Sequence, residues 1–359
     1  MNEHGLILQN APHVRASESL FTVMADMVVA LTPLYLIAWF YYGPRALLLG
    51  LTGAATAWAL DLLGVLVCGR RPDLRDLSAA VTGLLIPLLM PASVPYYIIV
   101  AACTIAILAV KFPFGGTGNN LFNPAAVGFA FAAICWPGQV FSYPAPMQQL
   151  AVVGEAVAKT AVSPAHSLMR GAIPGLDLFD MILGNASGPM GATNILVILA
   201  CGLYLWVRRT IGWRTPASFL LVCGLMATAW PRSPFGVFDS VGWELCSGML
   251  LFGAVFMMTE PVTSPKRDFA KLLYGAAAGV VAMLFRYFGG FEDGFVFALI
   301  LMNVSAPLFD RVCEHLLHKI RRGALLPEKK LPASGAERPP REKKPKPGLK
   351  KKTETGVGV

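Results

Sequence analysis

The chain has 359 residues, of which 55% are hydrophobic and only 14% are charged, and its mean hydropathy is +0.58. This composition excludes a soluble globular domain of that size and predicts a membrane protein. The formal net charge of +9 arises mainly from a Pro- and Lys-rich C-terminal stretch, which favours contact with anionic lipid over nucleic-acid binding. The seven cysteines show no CxxC spacing, so we expect no iron–sulfur cluster built by this chain alone.

Ten apolar stretches follow one another along the chain. They lie near residues 21–42, 46–68, 77–91, 94–111, 122–137, 193–207, 215–230, 243–258, 268–289 and 294–312. The third and fifth are short for a full crossing, which indicates re-entrant or broken helices. The sequence therefore predicts an all-α polytopic membrane protein with about ten transmembrane segments.

Weak sequence echoes divide these ten segments into two sets of five. The second segment begins Gly43-Pro-Arg45 and the seventh begins Gly212-Trp-Arg214, while Thr82-Gly-Leu-Leu in the third resembles Ser247-Gly-Met-Leu in the eighth. An odd number of crossings in each set makes the two sets inverted relative to each other. Two inverted five-helix halves place a functional site at their interface near the membrane midplane.

The distribution of Lys and Arg sets the predicted orientation. With the N-terminus inside, eleven basic residues fall in inner loops and five in outer loops, before the basic tail is counted. Both termini are therefore expected in the cytoplasm. The predicted regions are a cytoplasmic N-terminal segment (1–20), a first membrane half (21–137), an outer loop (138–192), a second membrane half (193–312) and a disordered basic cytoplasmic tail (313–359).

Two polar runs interrupt the apolar pattern. The first, over 111–125, is rich in Gly and Asn, and the second, over 259–265, reads Thr-Glu-Pro-Val-Thr-Ser-Pro. Non-helical backbone near a membrane must be buried in protein or line a polar cavity, so these runs are the best indication of a site. We expect Asn120, Asn123 and Thr263 to contact a cofactor through their amide and hydroxyl groups.

Acidic side chains lie at membrane depth in or beside the apolar stretches. Asp61 lies deep in the second stretch, Asp76 opens the third, and Glu260 closes the eighth. Ionisable groups there are costly, so we interpret these three as candidates for an ion path. Capping of a helix is an equal alternative for Asp76. No catalytic nucleophile or metal site is predicted.

Several motifs occur in an order that is specific to one family. They are Ala11-Pro-His-Val, Asp76-Leu-Ser-Ala, the run 115–125, the stretch 257–265 and the stretch 294–310. Over residues 11 to about 311 the chain resembles the D subunit of the Rnf ion-translocating electron transport complex, a relative of the B subunit of sodium-pumping NADH:quinone oxidoreductase. The resemblance implies a bacterial inner-membrane flavoprotein subunit with FMN, and riboflavin in related subunits. The implied partners are the A, B, C, E and G subunits and membrane lipid.

The resemblance also implies a covalent flavin in the outer loop. The family carries FMN as a phosphoester on a threonine, and the matching stretch here is Thr160-Ala-Val-Ser-Pro-Ala165. Ser163 occupies the threonine position and is the first candidate for the phosphoester, with Thr160 second. Thr193 in Met190-Gly-Ala-Thr193 resembles a general flavinylation pattern, but its flanks match a different family stretch at the start of the sixth helix.

The predicted function is that of a flavin-bearing membrane subunit in a redox-driven ion pump. Such a pump couples electron transfer between ferredoxin and NAD to ion translocation, and this chain alone would not be catalytic because the flavin and the other subunits carry the redox chemistry. The alternatives are an ammonium/urea-type channel or transporter without a redox centre, and a scaffold that only binds other subunits.

Overall fold

The computed structural model describes residues 19–69, 76–116, 118–154, 158–232 and 236–324, without the side chains of Val237 and of 317–324. Within these ranges the chain is helical, and the one β contact is an isolated bridge between Pro144 and Thr160. The predicted N-terminal segment up to residue 18 and the tail beyond residue 324 lie outside the described residues.

Fourteen helices occupy the described ranges. In the first half they are α1 (Leu20–Tyr42), α2 (Pro44–Val67), α3 (Ser78–Leu88), α4 (Tyr96–Thr104) with a π-helical continuation (Ile105–Lys111), α5 (Pro124–Cys135) and α6 (Pro137–Val140). The outer loop contains α7 (Pro164–Met169) and α8 (Leu178–Leu183). The second half contains α9 (Ile195–Val207), α10 (Arg214–Ala229), α11 (Val237–Cys246), α12 (Leu250–Phe256), α13 (Asp268–Phe288) and α14 (Phe295–Ala324).

Four of these helices are long and apolar enough to cross a membrane. They are α1, α2, α13 and the part of α14 from Phe295 to Leu316, and five shorter apolar helical segments accompany them. The prediction of an all-α polytopic membrane protein is confirmed. The sequence echoes remain the basis for the inverted relation of the two halves.

Local sequence sets several of the helix boundaries. Gly43 adopts φ +78, a left-handed conformation that favours glycine, and Pro44 begins α2 at the position where its missing N–H is not needed. Asn123 caps α5 by accepting from the Ala126 backbone N–H at 3.2 Å, and Pro124 follows at the first helical position. The Asn123 cap ends the first polar run and begins α5.

Close backbone contacts at glycines join the helices in each half. A Cβ atom on Gly53 of α2 would collide with the Gly83 carbonyl of α3, and a Cβ on Gly275 of α13 would collide with the Thr215 carbonyl of α10. Small residues at such crossings let membrane helices approach until their backbones touch. The helix α9 contacts α1 of the first half and α12 of the second half, and these contacts connect the two halves.

The eighth predicted stretch is broken into two helices, which the sequence did not predict. Gly248, with φ +67, separates α11 from α12. The buried guanidinium of Arg286 donates to the Ser247 carbonyl at 3.1 and 3.2 Å, and the Asp293 carboxylate accepts from the Met249 N–H. Two side chains remote in sequence thus satisfy the backbone groups that the break releases, as a membrane environment requires.

Arg45 does the same for the turn between α3 and α4. Its guanidinium donates to the carbonyls of Ala92 at 3.1 Å and Val94 at 3.2 Å, and only 1% of the residue is exposed. Each half therefore contains a buried arginine that stabilises non-helical backbone.

The last helix continues past the predicted end at residue 312. It runs to Ala324, and Cys313 is fully buried. Residues 311–322 contain neither Gly nor Pro and alternate apolar with charged side chains at helical spacing, so the helix persists after the apolar stretch ends.

Candidate functional site

A narrow cavity lies where the two polar runs meet. Its free volume is about 50 Å³, which is room for roughly three to five water molecules. Asn120 and Asn123 of the first run and Glu260 of the second line it, together with Lys111. The remaining wall is largely apolar and includes Met24, Met27, Leu85 and Phe256. The structure thus brings the candidate cofactor-binding residues Asn120 and Asn123 close to the candidate ion-path residue Glu260, which the sequence placed in the other half.

Asn123 joins the two runs directly. Its side-chain nitrogen donates to the Met257 carbonyl at 3.4 Å while its oxygen caps α5. The residue is 3% exposed, so its amide is used mainly to hold the two halves together at the edge of the cavity.

Asn120 has a buried acceptor that faces this cavity. Its Oδ1 atom is buried and accepts no hydrogen bond from any residue in the described part of the chain. A buried carbonyl oxygen in this state readily accepts from water or a ligand donor, or binds a cation. Asn120 is therefore a polar group of the first run that is available to a bound species.

Glu260 and Thr263 form the polar part of the second run. The Thr263 hydroxyl donates to Glu260 Oε2 at 3.1 Å, and Thr263 is 4% exposed. Burial raises the pKa of Glu260 from 4.5 to about 7, and the Thr263 hydrogen bond opposes this rise only in part. Glu260 can therefore gain or lose a proton near neutral pH.

Substituting glutamine for Glu260 is expected to change how stability depends on pH. In the folded protein Glu260 holds its proton up to about pH 7, whereas in the unfolded chain it loses the proton near its ordinary value of 4.5. Between these values the folded state binds the extra proton, so wild-type stability falls as pH rises. The melting temperature of Glu260→Gln minus that of wild type should therefore increase from about pH 5 to pH 8 and then level off. A difference that is constant with pH would show that Glu260 keeps an ordinary pKa.

A buried ion-pair cluster adjoins the cavity in the first half. Lys111 Nζ lies 2.8 Å from Asp61 Oδ1 and 3.6 Å from Asp76 Oδ2, and it donates to the Ser78 hydroxyl at 2.9 Å. Only 4% of the Lys111 side chain and 12% of the Asp61 side chain are exposed. Lys111 thus holds two carboxylates beside the cavity, and buried ionisable groups of this kind are typical of an ion path.

Asp76 has both of the roles that the sequence allowed. Its Oδ1 atom accepts from the Ser78 backbone N–H at 2.9 Å at the start of α3, while Oδ2 faces Lys111. Helix capping and membership of the charged cluster are thus compatible.

Asp26 of α1 is held by the second half. It accepts from the Arg208 guanidinium, with Nη2 3.1 Å from Oδ1, and from the Thr210 hydroxyl at 3.0 Å. Thr210 also lines the cavity. This contact fixes α1 to the end of α9 and closes one side of the site.

In the outer loop, the hydroxyl of Ser163 is fully engaged. It accepts from the His166 backbone N–H at 3.0 Å, which caps α7, and it donates to Glu292 Oε2 at 2.8 Å. His166 Nδ1 also lies 3.5 Å from that oxygen. Ser163 is 4% exposed, and burial raises the pKa of Glu292.

This environment does not fit a phosphoester on Ser163. Attachment would remove the hydroxyl proton that Glu292 accepts and would place a phosphate charge beside the carboxylate of Glu292, which is 7% exposed. Like charges in a buried position repel each other strongly.

Thr160 fits such a group better. It is exposed and lines an open cavity of about 590 Å³ together with Ser93, Ser142, Tyr96 and Tyr97. Open space beside aromatic rings accommodates a phosphate joined to a planar ring system better than the buried Ser163 does.

Three residues of these sites were missed from the sequence. Lys111 begins the first polar run and ends an apolar stretch, so its position was a usable signal for a buried cation. Arg45 was visible only as a loop residue, and Glu292 gave no signal because its partner is 129 positions away in the sequence.

Comparison with known proteins identifies the family. The model of the NQR2, RnfD, RnfE family matches residues 7–318. The chain is 29% identical over 323 residues to the D subunit of the Na(+)-translocating ferredoxin:NAD(+) oxidoreductase complex of Acetobacterium woodii, covering 90% of this chain and 98% of the relative. It is 30% identical over 325 residues to the D subunit of the proton-translocating ferredoxin:NAD(+) oxidoreductase complex of Clostridium ljungdahlii, covering 88% and 96%.

A third relative is the D subunit of the ion-translocating oxidoreductase complex of Cronobacter sakazakii, 30% identical over 338 residues, which cover 84% of this chain and 96% of the relative. The family match spans the described membrane core, including both polar runs and the charged cluster. The chain therefore belongs to the NQR2, RnfD, RnfE family.

Proposed function

We propose that this chain is the D-type membrane subunit of an ion-translocating ferredoxin:NAD(+) oxidoreductase complex. Its relatives are named as the D subunits of such complexes, and their names include both sodium and proton translocation. The partners are the A, B, C, E and G subunits of an Rnf-type complex, and the chain is not catalytic alone.

The single observation that carries this proposal is the cavity between the two polar runs. It combines an open acceptor on Asn120, a carboxyl group of Glu260 that titrates near neutral pH, and the adjacent ion-pair cluster at Lys111. A small cavity with polar groups from both halves suits a cation with a few water molecules. The same lining suits the polar edge of riboflavin, for which the walls would have to move apart.

FMN is the expected redox cofactor of the outer loop. We place the phosphoester on Thr160, where the open cavity leaves room for it and the Tyr96 and Tyr97 rings lie beside the cavity. Bound there, FMN supplies one- and two-electron redox chemistry, while the chain binds and orients it.

The test is coupled transport by the purified whole complex in proteoliposomes. Reduction of NAD by ferredoxin should drive uptake of sodium or protons, and a complex without this chain should lose the uptake. An ammonium/urea-type channel would instead pass its solute through the chain alone, with no flavin absorbance in the purified protein. That result would overturn the proposal.

The orientation is part of the proposal. We place the protein in the bacterial inner membrane with both termini in the cytoplasm, because basic residues are concentrated in the loops on that side. Cysteines introduced singly at Val153 and at Thr353 test this in intact cells. An impermeant maleimide should label the Val153 site and leave the Thr353 site unlabelled, and the reverse pattern would invert the topology.

A further inference from the structure

A second cavity on the same side of the protein as Glu260 is strongly basic. Its volume is about 510 Å³, and it adjoins the narrow cavity, with which it shares Thr210, Ile211, Thr259 and Pro261. The inference drawn from it does not depend on the proposed redox function. Four cationic side chains line it, namely Arg209, Arg214, Lys266 and Lys271.

Few acidic groups neutralise these cations. Arg214 pairs with Asp268 at 3.0 Å, and Asp310 accepts from the backbone N–H of Lys266 at 3.1 and 3.2 Å. Within the described residues, no acidic side chain forms an ion pair with the side chain of Arg209, Lys266 or Lys271. The cavity therefore carries a net positive charge.

Uncharged hydrogen-bond donors also favour an anion in this cavity. Ser264 lines the cavity, as do the first residues of α10, a helix of 16 residues. A helix N-terminus presents free backbone N–H groups and a positive dipole end, which bind phosphate well.

Arg209 has a backbone conformation that residues other than glycine rarely adopt. Its φ of +61 lies in the left-handed region at the end of α9, where glycine is the usual residue. An arginine that accepts this strain places a cation on the cavity wall, where glycine would place none.

Two tryptophans mark the cavity as interfacial. Trp206 and Trp213 line it and are 51% and 54% exposed. Tryptophan is enriched where a membrane helix meets the headgroup layer, and basic cavities between helix ends at that level bind anionic headgroups. We propose that this cavity binds the phosphate headgroup of one anionic phospholipid, with the two tryptophans beside its glycerol region.

The experiment uses native mass spectrometry of the intact complex released from nanodiscs that contain either phosphatidylglycerol or phosphatidylcholine. The wild-type complex should retain one phosphatidylglycerol molecule from the first kind of nanodisc and no phosphatidylcholine molecule at this cavity from the second. Lys266→Gln and Lys271→Gln should each weaken this retention roughly fivefold. Arg209→Gly should do the same while leaving the melting temperature equal or higher, because glycine relieves the strained backbone.

Arg170→Gln is the matched control, since it removes one exposed charge from the outer loop, away from this cavity. Equal retention in the cavity variants and in this control would overturn the proposal. So would displacement of the phospholipid by millimolar inorganic phosphate, which would indicate a free-anion site. Retention by the chain alone but not by the complex would show that a partner subunit covers the cavity, and would also overturn it.

Discussion

Replacing Lys111 by methionine is expected to destabilise the membrane core by about 3–5 kcal/mol, because it leaves Asp61 buried without its partner. The two groups are 2.8 Å apart, and both are largely buried. Unfolding in detergent micelles, followed by helical circular dichroism, measures the effect. Arg267→Met is the matched control, since Arg267 forms an exposed pair with Glu314 at 3.1 Å. Its loss should cost below about 1 kcal/mol.

The double variant Lys111→Met/Asp61→Asn separates structure from transport. Removing both charges should restore part of the lost stability, with a coupling of about 0.5–3 kcal/mol between the two sites. If Asp61 lies on the ion path, this refolded double variant should still transfer electrons but no longer couple them to ion uptake. Full coupling in the double variant would make the cluster purely structural, and a Lys111→Met protein as stable as the Arg267 control would refute the ion pair.

Covalent flavin should be lost in Thr160→Ala and retained in Ser163→Ala. The reason is access, because Thr160 is an exposed residue beside the 590 Å³ cavity, whereas Ser163 is 4% exposed and donates to Glu292 at 2.8 Å. In-gel flavin fluorescence after denaturation measures attachment, and mass spectrometry of the outer-loop peptides locates it. We expect no flavin fluorescence in Thr160→Ala and the full wild-type fluorescence in Ser163→Ala.

Thr193→Val is the control for this experiment, because Thr193 lies at the entry to α9 outside that cavity. Fluorescence lost only in Ser163→Ala would show that the buried serine becomes accessible before the loop folds. Loss only in Thr193→Val would move the site to the Gly-Ala-Thr pattern. A wild-type band without fluorescence would remove covalent FMN from this chain.

Ser163 has a measurable structural role whichever hydroxyl carries the flavin. It caps α7 and connects the outer loop to the turn before α14 through Glu292. Ser163→Ala should therefore lower stability by about 1 kcal/mol through the lost cap, and by more if Glu292 is left without a donor. This loss of stability is distinguishable from a loss of flavin, because it lowers the free energy of unfolding and leaves the in-gel flavin fluorescence unchanged.

The sequence by itself determined the class of protein and the position of its unusual segments. Composition and the length of apolar stretches are properties of short windows, so they place α1, α2 and α13 without any knowledge of packing. The caps at Asn123-Pro124 and Gly43-Pro44 are equally local, since each involves residues within one helical turn. The ordered motifs indicated the family for the same reason.

Only the tertiary structure decided which polar groups meet. The pairing of Lys111 with Asp61, the contact of Ser163 with Glu292 and the break at Gly248 all depend on side chains from helices remote in sequence. Sequence periodicity carries no information about such partners, because the free energy of a buried charge depends on the groups that packing brings within a few ångströms. The chain's own pattern located the polar runs, and packing made them one cavity.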